Sequence, residues 1–490
     1  MRAGDRNPGR KADEMRRVER TVSPRRRELL WAALGFCALL VLLVLLAQLV
    51  PVDVARGAPA AERTGEECRL DLESFDWVWT TIRDKHFDPN LGGLDWQAVR
   101  DSLRPRVEQA KTRGEARAAM RRMISLPGQS HFQIIPARVL EAMGERPGPG
   151  SPGGTTGMDA RVVDGHALVT SVERGSPADS AGVRPGWEIL RVGEEDLAPL
   201  LREVARSSRD VSWGDMDLAS VVLGRIEGAI GDTGTVRLRD GRGRKVDLAL
   251  RLVEKLGWLA GLGPVPNIRV RFESRRLPGN VGYVTFSLFL DPGRLMPKYE
   301  EAIRSFADAD GIVLDLRGNQ GGMIPIAMGM AGWLVAEKNL HLGTFFFRDA
   351  QVKALVNPRL GAYAGPVALL VDGLSVSCAE AFAGGLQDLG RARLFGTRTA
   401  GMVLMSAIER LPNGDGFQYV FASYRSAQGR LLEGRGVTPD VEVAPTRRAL
   451  LRGGDPALDA AVAWIHQQGK SRGAAGLPSP SNVNQAAGGR

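Results

Sequence analysis

Ser377 stands in the stretch PVALLVDGLSVSCAEAFAGGLQDLG, Pro366 to Gly390, where an apolar run ends at Asp372-Gly373 and helical spacing begins at Ala379. The pattern predicts a strand, a tight turn and a helix, with the serine on the turn. The first amides of a helix are unpaired donors at the positive end of its dipole, so an oxyanion formed beside Ser377 would meet the Cys378 amide. An ordinary helix-capping serine would sit in the same place. Ser375 offers a second hydroxyl on the same turn. The chemistry open to either is acyl transfer, provided a base lies within reach.

A second strand-turn-helix pattern runs from Gly311 to Leu334, with Asp315, Arg317, Asn319 and the pair Gly321-Gly322 on its turn. Paired glycines let backbone amides approach a ligand closely. The lysine of a phosphate-binding GxxxxGK[ST] loop and the full GxGxxG spacing are both missing. Five histidines are available as bases: His86, His131, His166, His341 and His466. No two share the i, i+4 spacing of a zinc site, and Cys68 and Cys378 have no neighbouring ligand, so no metal or cofactor is expected.

In order along the chain, DLRGNQGG, SVSCAE, GTRTAG (Gly396 to Gly401) and EGRGVTPD (Glu433 to Asp440) resemble the motifs of the carboxyl-terminal processing, or tail-specific, serine peptidases. The resemblance spans roughly Leu70 to Val443. In the better-known branch of that family the base is a lysine in a T-x-G-K pattern. Here the pattern reads Thr399-Ala400-Gly401-Met402, and the only lysine after Ser377 is Lys470. The chain is instead similar to the tricorn-like branch, which draws a Ser-His pair from ahead of a PDZ domain and a glutamate from near the end of the catalytic domain. LPGQSHFQIIP and LLEGRGVTPD supply those positions.

The resemblance therefore implies Ser377 as nucleophile, with Ser375 as the alternative, and His131 as base, with His341 second. Ser130 or Glu433 would orient the imidazole, and the Cys378 amide with that of Gly321 or Gly322 would hold the oxyanion. Glu380 recurs in the family motif, either in a supporting role or as a first-turn acid favouring the helix dipole. Arg317 and Asp315 would fix the Gly-Gly turn. An exported, membrane-anchored serine endopeptidase acting on polypeptides through an acyl-enzyme is the expected function. A catalytically silent peptide- or ligand-binding scaffold of the same fold is the alternative.

The elements that must position these residues fall into segments. The chain has 490 residues, 43% of them hydrophobic, enough for two or three cores. Its formal charge of +9 is concentrated in residues 1–28, where ten Arg or Lys face five Asp or Glu. No dense basic face with interleaved aromatics remains, which argues against nucleic acid. Leu29 to Val50 is an uncharged run preceded by Arg25, Arg26 and Arg27, and predicts a transmembrane anchor over 29–50 that leaves the rest exported, on the periplasmic or extracellular side.

Residues 66–143 read as a helical domain whose apolar face includes Phe75, Trp77, Val78, Ile82, Leu103, Val107 and Ala110. Gly144 to Gly157 reads as a Pro/Gly-rich linker. Residues 155–256 resemble a PDZ domain, which would place Gly157, Met158 and Asp159 in a carboxylate-binding loop. Trp187 stands where that family has Asp, and the stretch Leu200 to Ile230 is longer than a PDZ domain requires. Residues 270–450 alternate strands and helices, an α/β layered and, by the resemblance, crotonase-like peptidase domain. Residues 471–490 read as a disordered tail. The expected fold class is thus α/β and β: a transmembrane helix, a small helical segment, a PDZ-like β domain and the α/β domain.

Overall fold

The computed structural model describes residues 62–144, 147–262 and 265–474. Three helices open it: α1 (Gly65–Lys85), α2 (Trp96–Glu108) and α3 (Arg113–Ser125). Each begins on a side chain that accepts a helix amide, Thr64, Asp95 and Thr112 respectively, as exposed helix starts require. Their apolar faces meet over Phe75, Val78, Ile82, Leu103, Val107 and Met120. Trp77 departs from the expected face and is 48% exposed. It lies about 200° round the helix from Phe75, and Trp79 fills the inward position instead. The same core takes in Ile134, Ala407, Phe417 and Tyr419, so these helices are built onto a sheet from the far end of the chain.

β1 (Gln133–Ile135) joins that sheet directly after the helices. A separate module follows, with β2 (Met158–Val163), β3 (His166–Val172), β4 (Glu188–Val192), helices α4 (Leu197–Ser207) and α5 (Gly214–Ile226), then β5 (Thr233–Arg239) and β6 (Lys245–Arg251). Its sheet runs β2-β3-β4-β5-β6 and encloses Ala160, Val169, Ile189, Val222 and Leu238. The stretch Leu200 to Ile230 is accounted for by α4 and α5. The Gly144 to Gly157 segment is more than a linker, since Pro152–Thr155 pairs with Glu227–Ala229 and Val253–Glu254.

The remaining chain makes two layers. One is a six-stranded sheet of β7 (Phe272–Leu277), β8 (Val281–Phe286), β9 (Gly311–Asp315), β12 (Val367–Val371), β13 (Arg393–Gly396) and β16 (Val441–Glu442) in that order. From β8 onward every pairing is parallel. Parallel neighbours need crossovers, supplied by α6 (Pro292–Ser305), α7 (Ile324–Ala331) and α8 (Cys378–Asp388). The central strands are buried on both faces, which is why they read as unbroken apolar runs.

The other layer is antiparallel: β1, β15 (Gly416–Ser426), β10 (Leu340–Phe347) and β11 (Gln351–Val356), with β14 (Met405–Arg410) also on β15. Phe289, Tyr299, Phe382 and Tyr424 fill the space between the layers. A last helix, α9 (Pro456–Ala474), covers the other face of the parallel sheet through Ala461 and Ile465. It runs four residues into the segment read from sequence as tail; residues 475–490 lie outside the described residues.

The expected fold class is corrected at its start. The fold is mixed α/β, and among the described residues no helix is long and apolar enough to cross a membrane. α1 has the length, 21 residues, but carries Glu66, Glu67, Arg83 and Lys85 at its ends and Asp71 within. Leu29 to Val50 lies outside the described residues.

Candidate active site

β12 delivers the turn that carries the two serines. Asp372, just past the strand, accepts from the Gly318 and Leu374 amides on one carboxylate oxygen and from Arg161 Nε on the other, at 2.9, 3.1 and 2.9 Å. Ser375 is wholly buried; its Oγ donates to the Leu316 carbonyl at 2.7 Å and accepts from the Asp372 amide at 3.0 Å. That hydroxyl therefore ties the end of β12 to the end of β9. Ser377 sits at φ 60°, ψ −117°, a conformation that a residue with a side chain adopts only under constraint. The turn throws its side chain off the line of the strand as α8 begins at Cys378.

The Gly-Gly turn lies against it. Val376 donates to the Asn319 carbonyl at 2.9 Å, and buried Asn319 is held by its Nδ2 donating to the Phe286 carbonyl at 2.7 Å. Gly321, at φ 92°, comes so close that an added Cβ would lie 2.9 Å from Ser377 Cβ and 3.0 Å from Cys378 N. The two oxyanion candidates on this turn differ. The Gly321 amide is committed to Asn319 Oδ1 at 2.9 Å, whereas among the described residues no acceptor takes the Gly322 amide. Asp315 and Arg317 do pair with each other, and Arg317 also grips Asp455.

His131 arrives from the helical end of the chain, between α3 and β1. The pairing of Gln133 with Gln418 and of Ile135 with Gly416 fixes its position on the second sheet. It too has a positive φ, 69°. Its Nδ1 meets Ser130 Oγ at 2.5 Å, and its Nε2 is buried with no hydrogen-bond partner among the described residues. No hydrogen bond joins His131 to Ser377 in this arrangement. Burial alone holds the His131 pKa well below the usual imidazole value, so the ring is neutral.

Glu433 reaches Ser130 and not the imidazole. Its Oε1 accepts the Ser130 amide at 3.0 Å and its Oε2 the Val403 amide at 2.9 Å. Glu380 does the matching work at the serine turn. Fully buried, it accepts from the amides of Ser377, Gly401 and Met402 at 3.0, 2.7 and 2.9 Å, and from Thr399 Oγ1 at 2.5 Å. Burial nevertheless pushes its carboxyl up to about 7, against the pull of those donors. Burial raises Glu433 likewise.

The other histidines are occupied elsewhere. His341 Nε2 meets Thr344 Oγ1 on its own strand, His86 lies between the Asp88 carbonyl and Gln129, His166 meets Glu188, and His466 meets the Gly279 carbonyl. The residues read as a carboxylate-binding loop are spent locally. Gly157 donates to Thr155 Oγ1, Met158 to Thr156 Oγ1, and Asp159 pairs with Arg161.

Sequence reasoning missed the contact between the module and the serine turn. Ser212 Oγ donates to the Ala400 carbonyl at 2.7 Å, and Met216 packs with Val376, Ala400 and Met402. Met402 thus fills an apolar cluster at the position where the resembled pattern has a lysine. The methionine at 402 was the one readable signal that these surroundings are apolar.

A serine on a strained strand-to-helix turn, a neutral imidazole oriented by a hydroxyl, and an unclaimed amide are the parts of a serine peptidase, and relatives point the same way. The sequence profile of Peptidase family S41 matches residues 280–443, and that of the Tricorn protease C1 domain matches residues 72–125. Carboxyl-terminal-processing peptidase 3, chloroplastic, of Arabidopsis thaliana is 25% identical over 403 residues, 80% of this chain and 70% of that one. The chloroplastic C-terminal processing peptidase of Tetradesmus obliquus is 25% identical over 80% of each chain. Among solved structures, the photosystem II D1 C-terminal processing protease superposes with a TM-score of 0.50 at 21% identity, over 79% of this chain and 98% of that one, a likeness of fold.

The protein is a serine peptidase. Its Peptidase family S41 and Tricorn C1 matches, with C-terminal processing peptidases among its relatives, support a place in the C-terminal processing family on its tricorn-like side.

Proposed function

We propose that the chain is a serine endopeptidase that cleaves polypeptides through an acyl-enzyme, with Ser377 as nucleophile and His131 as its base. Ser377 Oγ attacks the scissile carbonyl while its proton passes to His131 Nε2. The same proton then goes to the leaving amine as the carbon–nitrogen bond breaks, and water releases the acyl group by the reverse path. Ser130 engages the ring through Nδ1, which leaves Nε2 to take the proton, and Glu433 holds Ser130. The Gly322 and Cys378 amides stabilise the oxyanion, each worth roughly 3 to 4 kcal/mol when well placed. Closure must bring His131 and Ser377 into hydrogen-bond reach, as unliganded sites commonly require.

The observation that carries this reading is the buried, partnerless Nε2 of His131 beside a ring fixed on its other side by Ser130. The β2–β6 module is read as PDZ-like from its five strands and two helices. The basic and then apolar opening of the sequence supports activity outside the cytosol. A fluorophosphonate probe tests the chemistry: the reading expects a single adduct on Ser377 by peptide mass mapping. A protein that binds peptides yet takes no label would be the silent scaffold instead.

A further inference from the structure

A cavity of about 750 Å³ opens at the carboxyl ends of the parallel strands, lined there by Thr285, Asp315, Val371 and Gly396 and roofed by β2 of the module. Ligands of open α/β sheets bind at such strand ends. Ser377 does not line it, but Gln320 does, and Gln320 is one peptide bond from Gly321, which lies against Ser377. Gln320 is 9% exposed, and its Oε1 is buried without a hydrogen-bond partner. Its backbone amide is used, donating to the Ser287 carbonyl at 3.2 Å, while its side chain makes no hydrogen bond within the described residues. A buried amide oxygen left unmatched in a folded chain marks a place where a ligand donor belongs.

The charge of the lining narrows what that ligand carries. Arg161 is shared by Asp159 and Asp372, and Arg317 by Asp315 and Asp455, so each cation faces two carboxylates. Asp164 and Asp215 add two further carboxylates that form no ion pair among the described residues. On the basic side only Arg271 and Arg275 offset this, and they share Glu273. The cavity is therefore net negative, which attracts lysine and arginine side chains and repels acidic ones.

We propose that Gln320 is a substrate-positioning residue whose Oε1 accepts a backbone N–H of the polypeptide, and that the cavity beyond it receives the adjoining, preferentially basic, residues. This rests on the serine-peptidase reading above and names its substrate class. The geometry places the anchor between the oxyanion turn and the cavity, so a peptide bound there would be held in register with Ser377.

The test uses the full chain and fluorogenic peptides identical but for lysine or glutamate flanking the scissile bond. Gln320→Met keeps the length and removes the acceptor. It should lower kcat/KM on the lysine peptide about three- to tenfold, the cost of one hydrogen bond, mainly through KM. Fluorophosphonate labelling of Ser377 needs no peptide and should fall by much less, and the melting temperature should hold. The wild-type enzyme should prefer lysine to glutamate, and added salt should shrink that preference. Turnover unchanged in the variant, labelling and turnover falling together, or equal cleavage of the two peptides would each overturn the inference. Failure of the wild-type protein to label would remove the peptidase reading itself, and this inference with it.

Discussion

Met402 and Val403 donate adjacent backbone amides to two different buried carboxylates, Glu380 and Glu433, each at 2.9 Å. Glu380 also holds the Ser377 amide, and Glu433 also holds the Ser130 amide. One short loop thereby sets the spacing between the serine turn and the segment that presents His131. A lysine would be costly at 402, because its ammonium would have to leave water for the apolar cluster of Met216, Val376 and Ala400.

The two serines of the turn should separate cleanly. Ser377→Ala is expected to lower hydrolysis by roughly a thousandfold or more and to abolish fluorophosphonate labelling, with an unchanged melting curve. Ser375→Ala strands the Asp372 amide and takes one of two donors from the Leu316 carbonyl, which keeps the Asn319 amide, so it should destabilise by about 1 to 3 kcal/mol while keeping the label. A Ser375 variant of normal stability that has lost the label would exchange their roles.

The pH profile follows from the neutral ring of His131. A base must be unprotonated to act, and burial favours the unprotonated form, so the acid limb of kcat/KM should fall below the ordinary histidine value of 6.5. This sets the limb lower than the neutral range that an ordinary histidine would give. His131→Ala should match Ser377→Ala in severity, and His341→Ala should leave the profile alone, since that ring is engaged with Thr344. A limb at or above 6.5, measured with a peptide substrate, would count against His131.

Glu380 makes a prediction about stability. Its folded value, about 7, lies above the reference 4.5, so folding favours the protonated carboxyl. That contribution is full below about 4.5 and is lost as pH rises through 7, on the order of 3 kcal/mol. Glu380→Gln should flatten the decline in unfolding free energy across that interval. It should also cost activity, because an amide nitrogen would face backbone donors. Denaturant titrations at a series of pH values decide it, and an equally steep decline in the variant would assign the effect elsewhere.

Gly321→Ala probes the turn beside Ser377. At φ 92° and with its Cβ crowding Ser377 and Cys378 N, alanine must displace one of them. Turnover is expected to fall roughly 10- to 100-fold, with a smaller change in KM. Steady-state kinetics at wild-type level would show that the turn can yield without moving the serine.

Much of this was legible because the relevant residues obey local rules. The apolar runs that end at Asp372-Gly373 and that open the Gly311 to Leu334 pattern were predicted as strands and lie in the parallel sheet as β12 and β9. The Ser130-His131 pair and Glu433 stood in recognisable motifs, and the fold brings Glu433 to Ser130. Other features depend on contacts between distant segments, on which periodicity is silent. Within the segment read as alternating strands and helices, β15 belongs to the antiparallel layer, where it pairs with β1 and β10. Trp77 looked like core by type but faces outward. The commitment of the Gly321 amide to Asn319 Oδ1 is a detail of one turn that no spacing encodes.

The bond between Ser130 and Glu433 closes over 303 residues of chain. A ribosome adding roughly 5 to 20 residues per second needs about 15 to 60 seconds to make that span. For most of that interval His131 has been synthesised but the β15 strand that seats it has not, and the carboxylate that fixes Ser130 comes last. If His131 serves Ser377 as proposed, a chain truncated before Glu433 lacks the carboxylate that holds Ser130 and is expected to show no peptidase activity, without any separate inhibitor.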